Sequence, residues 1–276
     1  MQKILLISFL LFGCLYANTT DDKVLEFEKK RLTNSNKKMS VEELKIIHKQ
    51  KVDIPGWYGY MIDIKVKLND NEARAKDIVF SNGVLVASDL LDINTGESLK
   101  GSIAPQLSQE FYNKAHLIAG SNKAKNKIVL FSDPLCPACK MVVPNLIKYV
   151  KNNPKNMGLY YYHFPLLQLH PAAQTLSKAM IVASKEGLKN IELKTYTEDF
   201  SKYFESKEQD EKVILDGFNK IFKTNISIKS IEKENIGEEL LNDMVMGDSV
   251  MVNSTPTIYI NGTKDKTQQK YKMLGN

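Results

Sequence analysis

Cysteine is scarce in this chain: three residues among 276, at Cys14, Cys136 and Cys139. A chain of this length can bury a real core without covalent staples, so the scarcity excludes the disulfide-dense scaffolds of small secreted domains. There is no low-complexity segment and no internal repeat, which excludes solenoids and fibrous architectures. No apolar run reaches the ~20 residues that a bilayer-spanning helix needs. Charge of one sign is also missing. The 38 Lys and Arg are interspersed with 32 Asp and Glu, giving a net charge of only +6. Stretches such as Glu26-Phe27-Glu28-Lys29-Lys30-Arg31 read as solvated surface, so no nucleic-acid partner is expected. What remains, with 43% hydrophobic and 25% charged residues, is an ordinary globular composition of two-domain length.

The N-terminus carries an export signature. Lys3 supplies the positive region, Ile4 to Phe12 the apolar stretch, and Leu15-Tyr16-Ala17 a cleavage site, so residues 1–17 read as a signal peptide. Leu11-Phe12-Gly13-Cys14 also resembles the box at which bacterial lipoproteins are cleaved and lipidated, and both outcomes stay open. Cleavage after Ala17 removes Cys14 and leaves an exported protein whose two cysteines stand at positions i and i+3. Such a pair forms no staple framework and points to catalysis.

Between Asp22 and Gln50 the apolar spacing at Val24, Leu25, Phe27 and Leu32, then at Val41, Leu44, Ile46 and Ile47, predicts amphipathic helices, with Ser40 and Glu43 as a capping box. After Pro55-Gly56 the period changes to two, and Ile62, Ile64, Val66 and Leu68 mark a strand. Asn82-Gly83 and Asn94-Thr95-Gly96 are hairpin chemistry. Residues 18–103 therefore read as a small α+β domain. Pro105 to Ala119, with Leu107, Phe111 and Ala115 at helical spacing, predicts a linker helix, placed within residues 104–121. From Lys127 the pattern becomes strand, turn, CxxC, helix and strand, a β-α-β unit that opens a domain over residues 122–276. A helical stretch from about 171 to 251 interrupts that domain before the strand Thr257-Ile258-Tyr259-Ile260 and the Asn261-Gly262 turn.

Cysteines at i and i+3 in the first turn of a helix bring their sulfurs within reach of one disulfide. The helix N-terminus offers free N–H groups and positive dipole to Cys136, which favours its thiolate and makes it the nucleophile and better leaving group. Cys139, one turn further in, is the resolving thiol, and Pro137 suits a first helical position. Zinc is the competing use of CxxC, but there is no second pair, and the other donors would have to come from His48, His116, His163 or His170. A purely structural disulfide is the other competitor, although so short a loop constrains the unfolded chain little. No metal and no cofactor is expected beyond the redox-active Cys136–Cys139 pair itself.

Thr255-Pro256 stands just before the last strand, where a proline fixes a turn and favours a cis bond. Together with Phe131-Ser132-Asp133-Pro134-Leu135-Cys136-Pro137-Ala138-Cys139, it resembles the active-site strand and threonine–cis-proline pair of the DsbC/DsbG-type periplasmic thiol:disulfide isomerases. The resemblance covers about Lys127 to Tyr271 by motif and the N-terminal half by architecture alone. It implies an α+β protein with an N-terminal cystatin-like dimerisation domain, a linker helix and a C-terminal thioredoxin-like domain with a helical insertion. It further implies that Thr255 and Pro256 pack on Cys136 and offer an edge for substrate, and that a homodimer encloses a cleft for unfolded or misdisulfided exported proteins. A membrane redox partner of the DsbD or DsbB type follows from the same resemblance, as does a periplasmic location. The dipeptide Pro137-Ala138 departs from the pair found in the well-known members, which leaves isomerase, oxidase and reductase directions open. A chaperone with an incidental CxxC and an apocytochrome c thiol reductase are the alternatives. His163 and His170 are candidates for a place near the chemistry, against ordinary structural roles. Tyr160-Tyr161-Tyr162 reads as alternating strand packing, and Trp57-Tyr58-Gly59-Tyr60 as core with a cleft-lining role as the competing reading.

Overall fold

In the computed structural model, residues 19–35, 39–68 and 71–275 are described. Residues 1–17, read above as a signal peptide, and Cys14 among them lie outside the described residues. The chain divides into two units at Ile103 and Ala104.

The first unit begins with α1 (Thr20–Ser35) and continues in one antiparallel sheet, β1 (Met39–Lys51), β2 (Tyr58–Leu68), β3 (Asn71–Ser81) and β4 (Val86–Ala87), in that spatial order. Val24 of α1 packs with Tyr60, Ile62, Ile64 and Val79 of the sheet. The helix predicted through Val41, Leu44, Ile46 and Ile47 is β1 instead, and Ser40 caps nothing. The reason is a pair of register shifts, between Val41 and Glu43 and between Ile46 and His48. The first inserts an extra residue, so the half-buried Val41 and Leu44 stand three apart, as they would on a helix. Asn82-Gly83 makes the β3–β4 turn, with Gly83 at φ +87°.

The second unit is built on a five-stranded sheet of order β5-β7-β6-β8-β9, comprising β5 (Leu117–Gly120), β6 (Asn126–Ser132), β7 (Met157–His163), β8 (Thr257–Ile260) and β9 (Thr263–Lys264). Only β6 and β7 run parallel, because α2 (Pro137–Asn152) crosses between them. Between β7 and β8 lie five helices: α3 (Ala172–Lys185), α4 (Ile191–Thr197), α5 (Glu211–Phe222), α6 (Ile228–Ile231) and α7 (Glu234–Ser249). Alternation divides the strands between two layers. Ile128, Leu130, Leu159 and Tyr161 face α2 and the helical insertion, while Val129, Phe131, Tyr160, Tyr162 and Tyr259 meet Leu107, Phe111 and Phe164 on the other side.

The linker helix expected over Pro105 to Ala119 does not form. Its residues make two short 3-10 turns, Gln109–Tyr112 and Lys114–His116, and then β5. Asn113 is extended between the turns and starts the second by accepting from the Ala115 N–H. Phe111 is held singly: its ring is buried beside Phe131, and its carbonyl accepts from the Tyr162 hydroxyl at 3.0 Å. Leu107 is tied to the β8–β9 turn through its N–H to the Gly262 carbonyl. The apolar residues thus pack on the sheet one at a time, as part of the second unit rather than as a stripe between units.

Candidate active site

The turn that leaves β6 is fastened by one carboxylate. Asp133 is fully buried, with its Oδ1 accepting from the Leu135 N–H at 2.7 Å and its Oδ2 accepting from the Leu166 N–H at 2.8 Å. The same Oδ2 lies 2.9 Å from Nδ1 of His170. The Asp133 carbonyl also takes the Cys136 N–H at 3.2 Å. So bound, the turn delivers Cys136 as the extended N-cap of α2, with Pro137 in the first helical position where no N–H is missed.

Both thiols are free and both are buried, Cys136 to 7% exposure and Cys139 to none. In its protonated form Cys136 donates to the Thr255 carbonyl at 3.3 Å across 119 residues of sequence. The Thr255–Pro256 bond is cis, and Thr255 lies against Cys136. The two sulfurs are strongly unequal. Cys136 is lowered to about 5, first by the hydrogen bond from the Cys139 thiol and then by the Thr255 side chain and the N–H groups of Cys139 and Ala138, against an opposing effect of burial. Cys139 moves the other way: burial and the neighbouring Cys136 raise it, and the Ser132 hydroxyl only partly offsets them. At neutral pH the pair is one thiolate and one thiol.

Behind Cys139 lies a row of hydroxyls that the sequence did not single out. Tyr196 of α4 donates to Ser132 Oγ at 2.7 Å, and its own oxygen stands 2.7 Å from that of Tyr161. Alternation along β6 was the available signal, since it puts Ser132 on the face of Leu130 that looks toward α2. Tyr160, Tyr161 and Tyr162 do alternate between layers. His170 serves the Asp133 clamp. His163 bonds no sulfur. Its N–H donates to Asp243 Oδ2 at 2.8 Å and its ring packs edge-on to Tyr161. Tyr60 lies in the core of the first unit, and Lys49 stands 5.0 Å from the rings of both Tyr58 and Tyr60. Among the described residues no group of three or more His, Cys, Asp or Glu could hold a metal ion, and no helix is long and apolar enough to cross a membrane.

Comparison with known proteins adds the following. A family model described as thioredoxin matches residues 112–276. No curated protein sequence matches the chain. Among solved structures, a thioredoxin-like oxidoreductase from Silicibacter pomeroyi is 15% identical, with TM-score 0.45, over 57% of this chain and 88% of that one. DsbA2 of Pseudomonas aeruginosa is 24% identical, with TM-score 0.40, over 55% and 89%. BdbD of Bacillus subtilis is 16% identical, with TM-score 0.46, over 62% and 92%.

Proposed function

This chain belongs to the thioredoxin family, and from that premise we propose that it is a thiol:disulfide oxidoreductase of exported proteins, with Cys136 as nucleophile and Cys139 as resolving thiol. The observation that carries the reading is the inequality of the two sulfurs. A thiol lowered to about 5 is ionised at neutral pH and is also the better leaving group, whereas a buried, raised thiol waits until a mixed disulfide is presented to it.

Starting from the reduced pair, the Cys136 thiolate attacks one sulfur of a substrate disulfide. A Cys136–substrate disulfide forms and the other substrate sulfur leaves as a thiolate. If that thiolate attacks a different substrate disulfide, and the rearranged substrate then expels Cys136, the net result is isomerisation with no electrons exchanged. If Cys139 instead loses its proton and attacks Cys136, the substrate leaves with two electrons and the Cys136–Cys139 pair is oxidised. Run backward, the same steps donate a disulfide to a substrate dithiol, and Cys136 departs as the stabilised thiolate. In all three uses the Thr255 carbonyl and Pro256 stand beside the reacting sulfur, where an extended substrate segment can lie along the backbone. Of these directions we favour isomerisation or oxidation of exported proteins. The support is the export signature at residues 1–17, the motif likeness to the DsbC/DsbG-type isomerases, and a thiolate stable enough to be expelled.

The first unit supplies the second half of the reading. Val84, in the β3–β4 turn, is 88% exposed, and Ile93, in the loop that follows β4, is 96% exposed. Apolar side chains so placed call for cover, and we assign it to a second copy of the chain, forming a homodimer that presents a cleft to unfolded or misdisulfided proteins. A membrane redox partner of the DsbD or DsbB type would restore the working state, and the periplasm is the compartment in which these parts meet.

The test is a trap. Cys139→Ala cannot resolve, so in intact cells it should accumulate reductant-sensitive adducts between Cys136 and exported proteins, and Cys136→Ala should accumulate none. An absence of adducts from Cys139→Ala in the exported fraction would overturn the exchange role. Alkylating thiols in intact cells then sets the direction: a largely reduced pair is the isomerase's working state, an oxidised pair the oxidase's.

A further inference from the structure

Cys139 has a proton to lose from a position closed to solvent. Its side chain is fully buried, yet resolution requires it to attack as a thiolate. No carboxylate bonds to it. Besides the Cys136 sulfur and the Asp133 backbone, Cys139 meets the first of a row of hydroxyls: Ser132 against its sulfur, Tyr196 Oη 2.7 Å from Ser132 Oγ, and Tyr161 Oη 2.7 Å from Tyr196 Oη. The row draws on three elements, since Ser132 ends β6, Tyr161 lies in the adjacent β7 and Tyr196 comes from α4. It has an outlet. Tyr161 also lines a cavity of about 420 Å³ whose other walls include His116, His163, Glu192 and Asp243.

We propose that Ser132, Tyr196 and Tyr161 form a proton relay that joins the buried Cys139 thiol to this polar cavity, so that Cys139 can resolve mixed disulfides from a position closed to bulk water. The inference rests on the exchange function proposed above. Burial holds both phenols well above the ordinary tyrosine range, so neither serves as a phenolate, and the transfer is an exchange of hydrogens along the row. As Cys139 attacks, its proton passes to Ser132 Oγ. The Ser132 hydrogen passes to Tyr196, the Tyr196 hydrogen to Tyr161, and the Tyr161 hydrogen to water or to the Glu192 carboxylate in the cavity. One S–S bond forms between Cys139 and Cys136, the bond from Cys136 to substrate breaks, and the substrate sulfur takes the electron pair. In reverse, when the Cys136–Cys139 disulfide is opened by a substrate thiolate, the row returns a proton to the departing Cys139. The resting hydrogen bonds suit that reverse step, because Tyr196 donates to Ser132 and leaves the Ser132 hydrogen free to point at sulfur. Glu192 fits the terminal position, since burial raises its carboxyl and favours its holding a proton.

The two sulfurs can be timed separately. Reduced full-length protein mixed with one equivalent of dithiobis(nitrobenzoate) releases one coloured thiolate when Cys136 attacks and a second when Cys139 resolves. That second leaving group needs no proton, so the second phase reports the loss of the Cys139 proton. Tyr196→Phe and Tyr161→Phe keep the rings and delete the hydroxyls. They should leave the first phase at the wild-type rate and slow the second by about a hundredfold or more, the low end of what a positioned proton-transfer group contributes. Ser132→Ala should do the same. Tyr162→Phe, which removes a buried phenol from the opposite face of the same strand, should change neither phase. Unaltered second phases in the relay variants overturn the proposal. So does equal slowing of both phases, or slowing by Tyr162→Phe, since either makes the hydroxyls merely structural. A wild-type protein that releases no second thiolate would instead refute the exchange reading.

Discussion

The stability of the reduced protein should rise with pH across the range in which most proteins are indifferent to their thiols. Cys136 is lowered from 9.0 to about 5, with the Cys139 hydrogen bond as the leading cause. A group whose pKa falls on folding stabilises the native state when ionised. Its contribution is fully present above the unfolded value and is lost as pH falls through the folded one. Between those limits the unfolded chain holds one more proton, and the slope is about 1.4 kcal/mol per pH unit. At pH near 7, about two units above the folded value, the upper bound is therefore about 3 kcal/mol. Residual solvent around the sulfur screens this to about 1–2 kcal/mol. Oxidation abolishes the thiolate, so the gain belongs to the reduced state alone and moves the couple toward the oxidising side by about 20–45 mV. The assay is chemical denaturation of reduced and oxidised protein over the acidic to neutral range, together with the ultraviolet absorbance of the thiolate. Oxidised protein should lack the slope. Parallel stability curves, or a thiolate that titrates near the ordinary thiol value, would refute the electrostatic picture of the site.

Two further perturbations test the scaffold around the sulfurs. Asp133→Ala strands the Leu135 and Leu166 N–H groups and frees His170, so it should cost about 3 kcal/mol or more in denaturation experiments. It should also slow attack by Cys136, by loosening the turn that aims it. Gly120 has φ +76°, and an added Cβ would run into the Met157 carbonyl of the neighbouring strand. Gly120→Ala should therefore lower stability by about 2–4 kcal/mol, with loss of the β5–β7 pairing visible as faster amide exchange at the sheet edge.

The local chemistry of the site was legible because it is written in contiguous residues. A strand of apolar residues, a turn with Asp and Pro, and two cysteines a helical turn apart leave little freedom for Cys136 and Cys139. The helical insertion and the Asn261-Gly262 hairpin were equally plain, the latter with both residues at positive φ, 49° and 84°. Thr255 and Pro256 could be placed beside the sulfurs only through the likeness to known isomerases, since no local pattern joins residues so distant. Two errors share one cause. In β1 a bulge, and in residues 105–119 a succession of separate anchors, spaced the apolar residues by three and four without a helix. Periodicity records which residues seek burial, and several backbones satisfy one such spacing. The roles of Ser132, Asp133 and Tyr196 escaped notice because they lie in partners contributed by other elements. Asp133 meets Leu166 and His170, Ser132 meets Tyr196, and a hydroxyl or carboxylate in isolation announces neither.

The contact between Cys136 and the Thr255 carbonyl also sets a timetable. Synthesis runs from the N-terminus, so both cysteines exist well before residues 255 and 256 do, and any chain ending earlier carries the sulfurs without the group that faces Cys136. The whole helical insertion must be made and folded back before β8 can pair antiparallel with β6 and bring Thr255 into place. A nascent or truncated chain is thus an unfinished reagent. Cys136 lacks a group that helps to lower it until residues 255 and 256 have been made, which limits what it can cross-link on the way.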